Sequence, residues 1–277
     1  MIHVKKKEKR TGKFYAGTSG WTYKSWHDVF YPPEIRKDFL RYYASKFDTV
    51  EINNTFYHLP PPPTFQKWDS ETPDHFVFAV KLSRFITHLK KLNDPKQALE
   101  NFLRNAKKLG KKMIVILTQL PPSLKFDEEK LSDFLEIFAK LKKKSGLNFV
   151  RMAIETRHPS WLEKENKKIF LKLLRDNKIS LVIPFSPEKF EPKLFRKENF
   201  TAGFVYMRFH GAKSYAESRN LRKNLPVLAK KMKKWLNDGY DVFAYFNNDA
   251  FGYAVKDAAK LKNLLKVDDR GRFLFRR

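Results

Sequence analysis

Short apolar runs alternate along the chain with longer segments in which apolar residues recur every three or four positions. The short runs are rich in β-branched and aromatic residues and are apolar on both faces, which is typical of buried parallel strands. We predict eight such strands, at residues 14–16, 49–52, 76–81, 113–117, 149–154, 180–183, 204–207 and 241–245.

The segments between these runs carry the apolar stripes of amphipathic helices. The clearest stripe contains Leu99, Phe102 and Leu103, and it lies between the helix-start signal Asp94-Pro95 and the stop signal Gly110. Further stripes occur at residues 39–47, 131–141, 169–174, 228–236 and 254–265. Two connections between strands lack a long helical stripe. In the first, prolines at 60–63 leave room only for a short helix at 64–69, and in the second, residues 184–201 show no convincing helix.

Eight strands that alternate with at least six helices favour an α/β fold, the (β/α)8 TIM barrel, in a single domain. A doubly wound open sheet is the alternative. No shift in composition marks a second domain, so we predict a flexible basic arm over residues 1–12 and one barrel over residues 13–277.

The charge of the chain raises the question of a polyanionic partner. It has 57 Lys and Arg residues against 30 Asp and Glu residues, a net charge of +27. Lysine-rich surfaces bind nucleic acid by releasing counterions from the phosphate backbone. The alternative is a like-charged surface that only keeps the protein soluble, and many lysines do lie on outward helix faces, such as Lys140 and Lys230.

The chain contains no cysteine and no run of 18 uncharged apolar residues. The first feature excludes a disulfide scaffold and a cysteine nucleophile, and the second excludes a membrane-spanning helix. The basic N-terminus lacks the apolar stretch of a secretory signal, so we predict a cytoplasmic protein with no membrane partner. A lysine-rich, cysteine-free composition also suits a thermophile, and nothing in the sequence sets the oligomeric state.

Polar residues follow seven of the eight predicted strands, at the end where TIM barrels place their chemistry. Strand six, which ends at Ile183-Pro184-Phe185, is the exception. The candidate site residues are Trp21, Glu51, Asn53, Lys81, Glu155, Arg157, His158, Arg208, His210, Asn247, Asn248 and Asp249. The opposite ends of the strands carry the residues of ordinary turns, and this asymmetry indicates a site.

Carboxylates next to cations at strand ends favour acid–base chemistry on an anion. Glu51 or Glu155 is the candidate general base and His158 the candidate general acid. The predicted phosphate-binding and charge-stabilising side chains are Lys81, Arg208 and His210. The side chains predicted to bind or orient the rest of the substrate are Trp21, Asn53, Arg157, Asn247, Asn248 and Asp249.

Each group also has a structural interpretation. Glu51 could form a buried ion pair with Lys81 or Arg208, and Glu155 to His158 could form a local salt bridge with a capping histidine. A divalent metal is a candidate cofactor, because carboxylates and imidazoles are suitable ligands for Mg²⁺, Mn²⁺ or Zn²⁺. The candidate ligands are Glu51, Glu155, His158, His210 and Asp249, although no closely spaced histidine pair supports them and three cations compete.

A series of motifs in order along the chain resembles the YecE-like family, which is also called domain of unknown function seventy-two. The motifs are GTSGWTY at 17–23, FYP at 30–32, TVEINNTFY at 49–57, ITH at 86–88, QLPP at 119–122, ETRHPSW at 155–161, RFHG at 208–211 and YFNND at 245–249. The resemblance implies a TIM barrel and supplies no reaction. At the end of strand six, where an Asp is expected in relatives, this chain has Pro184-Phe185.

We therefore predict hydrolysis or lyase chemistry on a phosphate-bearing substrate, with nucleic acid as the leading candidate. The second interpretation is a sugar isomerase or epimerase that uses Glu51 and Glu155 for proton transfer. The third is a non-catalytic nucleic-acid-binding protein whose pocket is structural.

Overall fold

The computed structural model describes residues 10–185, 195–210, 215–247 and 252–266. Its eight strands are β1 Phe14–Thr18, β2 Thr49–Ile52, β3 Val77–Lys81, β4 Met113–Gln119, β5 Arg151–Glu155, β6 Ser180–Phe185, β7 Phe204–His210 and β8 Asp241–Asn247. Its helices are α1 Phe39–Ala44, α2 Asn54–Tyr57, α3 Pro62–Ser70, α4 Lys96–Ala106, α5 Glu128–Lys144, α6 Lys164–Asp176, α7 Tyr215–Asn237 and α8 Tyr253–Leu265. A π-helix covers Phe85–Leu89.

The strands form one parallel sheet in the order β1-β8-β7-β6-β5-β4-β3-β2, with helices around it. The sheet curls until its two edge strands, β1 and β2, meet at a single bridge between Ser19 and Glu51. The predicted (β/α)8 TIM barrel is therefore confirmed in a nearly closed form, and the open-sheet alternative is wrong. No helix in the described ranges is long and apolar enough to cross a membrane.

The seam between β1 and β2 is held by the hydroxyl of Tyr43, which α1 inserts from outside the barrel. The backbone N–H of Thr18 donates to this hydroxyl at 2.9 Å, and the hydroxyl donates to the carbonyl oxygen of Thr49 at 3.1 Å. Gly17 lies beside the same carbonyl, where an added Cβ would come within 2.2 Å of the oxygen. Only a residue without a Cβ allows the two strands to approach this closely.

Alternate strand residues fill the barrel interior, since successive side chains point to opposite faces of a sheet. The interior apolar cluster contains Tyr15, Ala79, Val115, Leu117, Ala153, Val182, Phe204, Tyr206, Phe243 and Tyr245. At the end where the strands begin, Arg151 pairs with Asp241 at 2.7 Å and lies over the rings of Phe204 and Phe243. The polar interior positions at the other end form the candidate site.

The predicted element boundaries need three corrections. Strand β5 begins at Arg151 and not at 149, because Phe149 is 48% exposed and lies outside the sheet. Strands β1, β4, β6, β7 and β8 run two or three residues further than predicted, because the backbone pairing continues to these ends. In the predicted arm, Gly12 already packs on the barrel and donates from its N–H to the carbonyl oxygen of Leu236 at 2.8 Å; residues 1–9 lie outside the described ranges.

Candidate functional site

Arg208 is the centre of a buried ion-pair network at the carboxyl ends of the strands. Its side chain extends from β7 into the barrel and is 2% exposed. Its Nε and Nη2 donate to the carboxylate of Glu51, with the shortest contact at 2.8 Å, and its Nη1 donates to Glu155 Oε2 at 2.7 Å. The predicted pairing of Glu51 with Arg208 is therefore present, and one guanidinium joins the two carboxylates that lie on β2 and β5.

Glu51 is held as a carboxylate by further donors. The hydroxyl of Ser19 donates to its Oε1 and that of Tyr206 to its Oε2, both at 2.7 Å. Burial alone would raise the pKa of Glu51, but the charge and hydrogen bonds of Arg208, with these hydroxyls, lower it. Glu51 thus stays ionised and fully paired below the mouth of the barrel.

The second oxygen of Glu155 faces the rim of the mouth. Arg157 Nη2 lies 2.5 Å and His210 Nε2 lies 3.4 Å from Glu155 Oε1. Burial opposes ionisation, yet Arg208, His210 and Arg157 together lower the pKa of Glu155. The Arg157 side chain is 36% exposed, so it retains donors that face solvent. Arg208 and His210 do point to the same side of β7, as the alternation predicts.

Lys81, the last residue of β3, is 8% exposed and makes a different kind of contact. Its Nζ lies 4.0 Å from the centre of the Phe56 ring, a cation–π contact. Across the part of the chain that the structure describes, Lys81 Nζ has no hydrogen bond or ion pair. Burial and the charge of Arg208 lower the pKa of Lys81 to about 8, against the opposing effect of both glutamates.

The π-helix at Phe85–Leu89 places His88 on the edge of the same Phe56 ring, with the ring centres 4.8 Å apart. The hydroxyl of Thr87 lies 2.8 Å from His88 Nδ1. Burial and then the charge of Lys81 lower the pKa of His88, so the imidazole is neutral at pH 7. Single-turn π-helices occur often at functional sites, which fits this position.

An aromatic cleft of about 290 Å³ lies beside the network, over the ends of β1 and β2. Trp21, Tyr23 and Tyr57 line it together with Asn53 and Asn54. The Tyr57 ring contacts Phe56, so the cleft adjoins the surroundings of Lys81. Asn53 Oδ1 is buried and accepts no hydrogen bond from any described residue, which leaves it available to a ligand donor.

The remaining predicted residues divide into two groups. His158 caps a short 3-10 helix, with its Nδ1 accepting from the backbone N–H of Ser160 at 3.1 Å, so the capping interpretation describes its contacts; its role as general acid stays a prediction. Asn247 pairs in the ladder with His210 and is half-buried. Asn248 and Asp249 lie outside the described residues.

Residues that the sequence analysis did not select complete the site. Tyr206 lies two positions before Arg208, so the period of a strand could have identified it as a neighbour on the same face. Ser19, Phe56 and His88 contact residues of the site that lie on other elements of the chain. The sequence around each of them does not indicate these contacts. The structure therefore brings ten polar or aromatic side chains from β1, β2, β3, β5 and β7 and their loops to one mouth: Ser19, Glu51, Phe56, Lys81, His88, Glu155, Arg157, Tyr206, Arg208 and His210.

The network does not gather metal ligands in the described residues. No group of three His, Asp or Glu side chains comes together there, and the two glutamates already bind arginines. Asp249, the remaining predicted ligand, lies outside those residues, so the metal stays a prediction.

Comparison with known proteins identifies the family. The model for "Protein of unknown function DUF72" matches residues 15–274. The UPF0759 protein YunF of Bacillus subtilis is 27% identical over an alignment of 284 residues that covers 93% of this chain and 96% of YunF. The UPF0759 protein YecE of Escherichia coli K12 is 24% identical, covering 80% of this chain and 81% of YecE.

Solved structures agree in fold. A DUF72 family protein from Thermotoga maritima superposes with a TM-score of 0.73 at 28% identity, covering 92% of this chain and 99% of that one. A sugar phosphate isomerase/epimerase from Parabacteroides distasonis, at a TM-score of 0.54 and 13% identity, shares the fold alone; the alignment covers 98% of this chain and 100% of that one. The family match spans nearly the whole barrel, and the chain belongs to the DUF72 family.

Proposed function

We propose that this protein is an enzyme of the lyase type that acts on a small phosphate- or carboxylate-bearing molecule at the mouth of the barrel. The observation that carries the proposal is Lys81, a buried cation that has no ion pair within the described residues. A buried ammonium is costly unless an anion joins it or it releases its proton. An anionic group of a substrate would pair with the ammonium, and transfer of its proton during the reaction would remove the charge.

Charge at the mouth favours an anionic ligand. Arg208, Arg157 and Lys81 supply three cations against the two carboxylates of Glu51 and Glu155, so the described part of the network has an excess of positive charge. Arg208 was predicted to hold the anion, but its donors already bind the carboxylates. Anion binding therefore falls to the rim, where Arg157 and His210 lie 3.1 Å apart and remain partly exposed.

Proton transfer is assigned to Lys81. A group with a pKa near 8 serves well as a general base close to neutral pH. Glu51 and Glu155 have lowered pKa values and stay ionised, so they are weak bases for activating water or for moving protons on a sugar. Lyase chemistry thus has more support than hydrolysis or sugar isomerisation by the two glutamates.

Nucleic acid as the substrate of the mouth has less support. The lysines that give the chain its charge include Lys230, Lys233 and Lys234, which are exposed on the outer helix α7. A charge on the outside of the barrel favours non-specific contact with polyanions and does not bring a phosphodiester to Lys81.

Phosphate binding tests the proposal, with inorganic phosphate as the probe and isothermal titration as the measurement. We expect Arg157→Met to weaken binding about tenfold or more, because a charge-assisted hydrogen bond contributes roughly 1.5–3 kcal/mol. Arg41→Met on the outer face of α1 is the matched control and should bind as the wild type does. Equal affinity in the wild type and the Arg157→Met variant would reject the rim as the anion site.

A further inference from the structure

Two other lysines of low exposure in the described residues, Lys112 and Lys262, have oxygen partners. Lys112 Nζ donates to the carbonyl oxygens of Asp69 and Thr72 at 2.6 and 2.8 Å. Lys262 Nζ donates to Asp48 Oδ2 at 2.9 Å. These contacts hold the proton on the amine and make the side chain structural. Lys81 differs, since among the described residues its Nζ faces only the Phe56 ring.

The network explains why Lys81 lacks such a partner. Arg208 takes an oxygen of each glutamate, and Arg157 takes the remaining oxygen of Glu155. The two guanidiniums also lie close enough to repel a third positive charge, and both lower the pKa of Lys81. A lysine that is shielded from water and surrounded by fixed cations is the usual form of an activated amine.

The main chain around Lys81 is anchored, which sets where its buried side chain begins. The hydroxyl of Thr55 donates to the carbonyl oxygen of Lys81 at 2.7 Å, which ties the end of β3 to α2. Phe56 on α2 supplies the ring under the amine. The face of an aromatic ring stabilises a cation without taking a proton, and it would stabilise a charged imine in the same place.

We infer that Lys81 is a nucleophile that forms a Schiff base with the carbonyl group of an aldehyde or ketone substrate. This inference rests on the proposed function, which supplies the anionic part of that substrate at the rim. The substrate class is accordingly a small aldehyde or ketone that carries a phosphate or carboxylate. Asn53 lines the adjoining cleft, and its buried Oδ1, which accepts no hydrogen bond from a described residue, would be the acceptor for a hydroxyl group on the substrate.

The step balances with no reagent besides the substrate. The ammonium first loses one proton, and the lone pair of the neutral amine attacks the carbonyl carbon, so that a C–N bond forms and the carbonyl oxygen becomes a hydroxyl. Loss of this hydroxyl as water leaves a protonated imine. One ammonium and one carbonyl therefore give one iminium and one water, with charge conserved. The iminium then accepts the electron pair of a neighbouring C–C bond as that bond breaks and becomes an enamine; from a substrate carboxylate the group that leaves is carbon dioxide, which is the chemistry of a lyase.

Reductive trapping in the wild-type protein tests the inference. The protein is incubated at pH 7 with dihydroxyacetone phosphate and sodium cyanoborohydride, and the modified lysines are mapped by peptide mass spectrometry. We expect Lys81 to be labelled at least tenfold faster than Lys233, an exposed lysine in the same sample, because a pKa of about 8 leaves far more free amine at this pH. Labelling of Lys81 should also reach half its maximum near pH 8.

Variants and a second probe separate this inference from the proposed function. Lys81→Met and Lys81→Arg should remove the fast adduct and leave the Lys233 adduct unchanged. Uncharged dihydroxyacetone tests the anion site, and we expect it to label Lys81 more slowly than its phosphate does, with the difference lost in Arg157→Met. Phosphate binding without preferential labelling of Lys81 overturns the Schiff base alone. Fast labelling that is equal for both probes keeps the Schiff base and overturns the anion site.

Discussion

At the scale of single residues, the site combines charges that form ion pairs with a buried cation, Lys81, that has no ion pair among the described residues. Arg208 and Glu51 hold each other in their ionised forms, whereas Lys81 is buried at a cost in stability. A buried ion pair of this kind is a weak source of stability, but removal of one partner is costly because the other charge is left alone. Stability therefore favours the paired charges of Arg208 and Glu51, whereas the proposed chemistry requires the unfavourable burial of Lys81 beside them.

The cost of burying Lys81 can be measured through its pH dependence. Its pKa is about 8 in the folded protein against 10.5 in the unfolded chain, so between these values the unfolded chain binds more protons and wild-type stability rises with pH. We expect Lys81→Met to be more stable than the wild type by up to about 3 kcal/mol at pH 7, with the difference shrinking as the pH approaches 10.5. Urea unfolding measures both values.

Lys233→Met serves as the control for this comparison, since Lys233 is exposed on α7 and its side chain is not buried on folding. A Lys81→Met variant that is less stable than the wild type at pH 7 would contradict the prediction. It would mean that the ammonium has an anionic partner and that its proton is held.

At the scale of secondary structure elements, the two strands with the least backbone pairing in the barrel, β1 and β2, lie beside the site. β1 and β2 meet through one bridge and the Tyr43 hydroxyl, and the same pair of strands supplies Ser19 and Glu51. The close approach at Gly17 therefore fixes the position of the Glu51 carboxylate relative to Ser19. Closure of the barrel and construction of the site depend on the same contact.

Substitution at Gly17 should open this seam. In Gly17→Ala the new Cβ would come 2.2 Å from the carbonyl oxygen of Thr49, so the strands must separate. We expect a loss of more than about 3 kcal/mol of unfolding free energy, seen as a lower Tm in calorimetry. Gly203→Ala is the matched control, because its Cβ would meet no heavy atom within 4 Å. Comparable Tm values for the two variants would show that the seam tolerates separation.

At the scale of the whole molecule, exposed lysines that contribute to the net charge of +27 lie on the outer helices, away from the mouth. The exposed lysines of α7 lie on the outer layer of the barrel, and the charged groups of the site lie inside it. The two sets of charges can therefore be tested separately.

We expect the protein to bind unrelated DNA sequences with similar affinity, and this affinity should fall steeply between about 50 and 200 mM salt. The combined variant Lys230→Glu, Lys233→Glu and Lys234→Glu should weaken binding, measured by fluorescence anisotropy, through loss of phosphate contacts. Lys81→Met and Arg157→Met should leave it unchanged. Weaker DNA binding in the two mouth variants would instead make nucleic acid the ligand of the mouth.

The helices and strands were predictable because their signals are local. Apolar runs and stripes mark buried faces wherever the chain goes afterwards, and they gave eight strands in the right order. Five strand ends were placed too early, and at β4, β7 and β8 the reason is that Gln119, His210 and Asn247 are polar and resemble loop residues. They belong to the sheet because its backbone pairing continues through them, with Gln119 beside Glu155 and His210 beside Asn247.

The sequence by itself determined the barrel and the end of it where polar side chains gather, since both follow from periodicity and from which residues come after each strand. Only the tertiary structure decided which buried cation has no ion pair among the described residues. Arg208 and Glu51 are 157 positions apart in the chain, and their contact depends on how β2 and β7 approach through the closed barrel. Ion pairs are set by distances in space, so the position of Lys81 outside the ion pairs of the described network follows only from the folded arrangement of its neighbours.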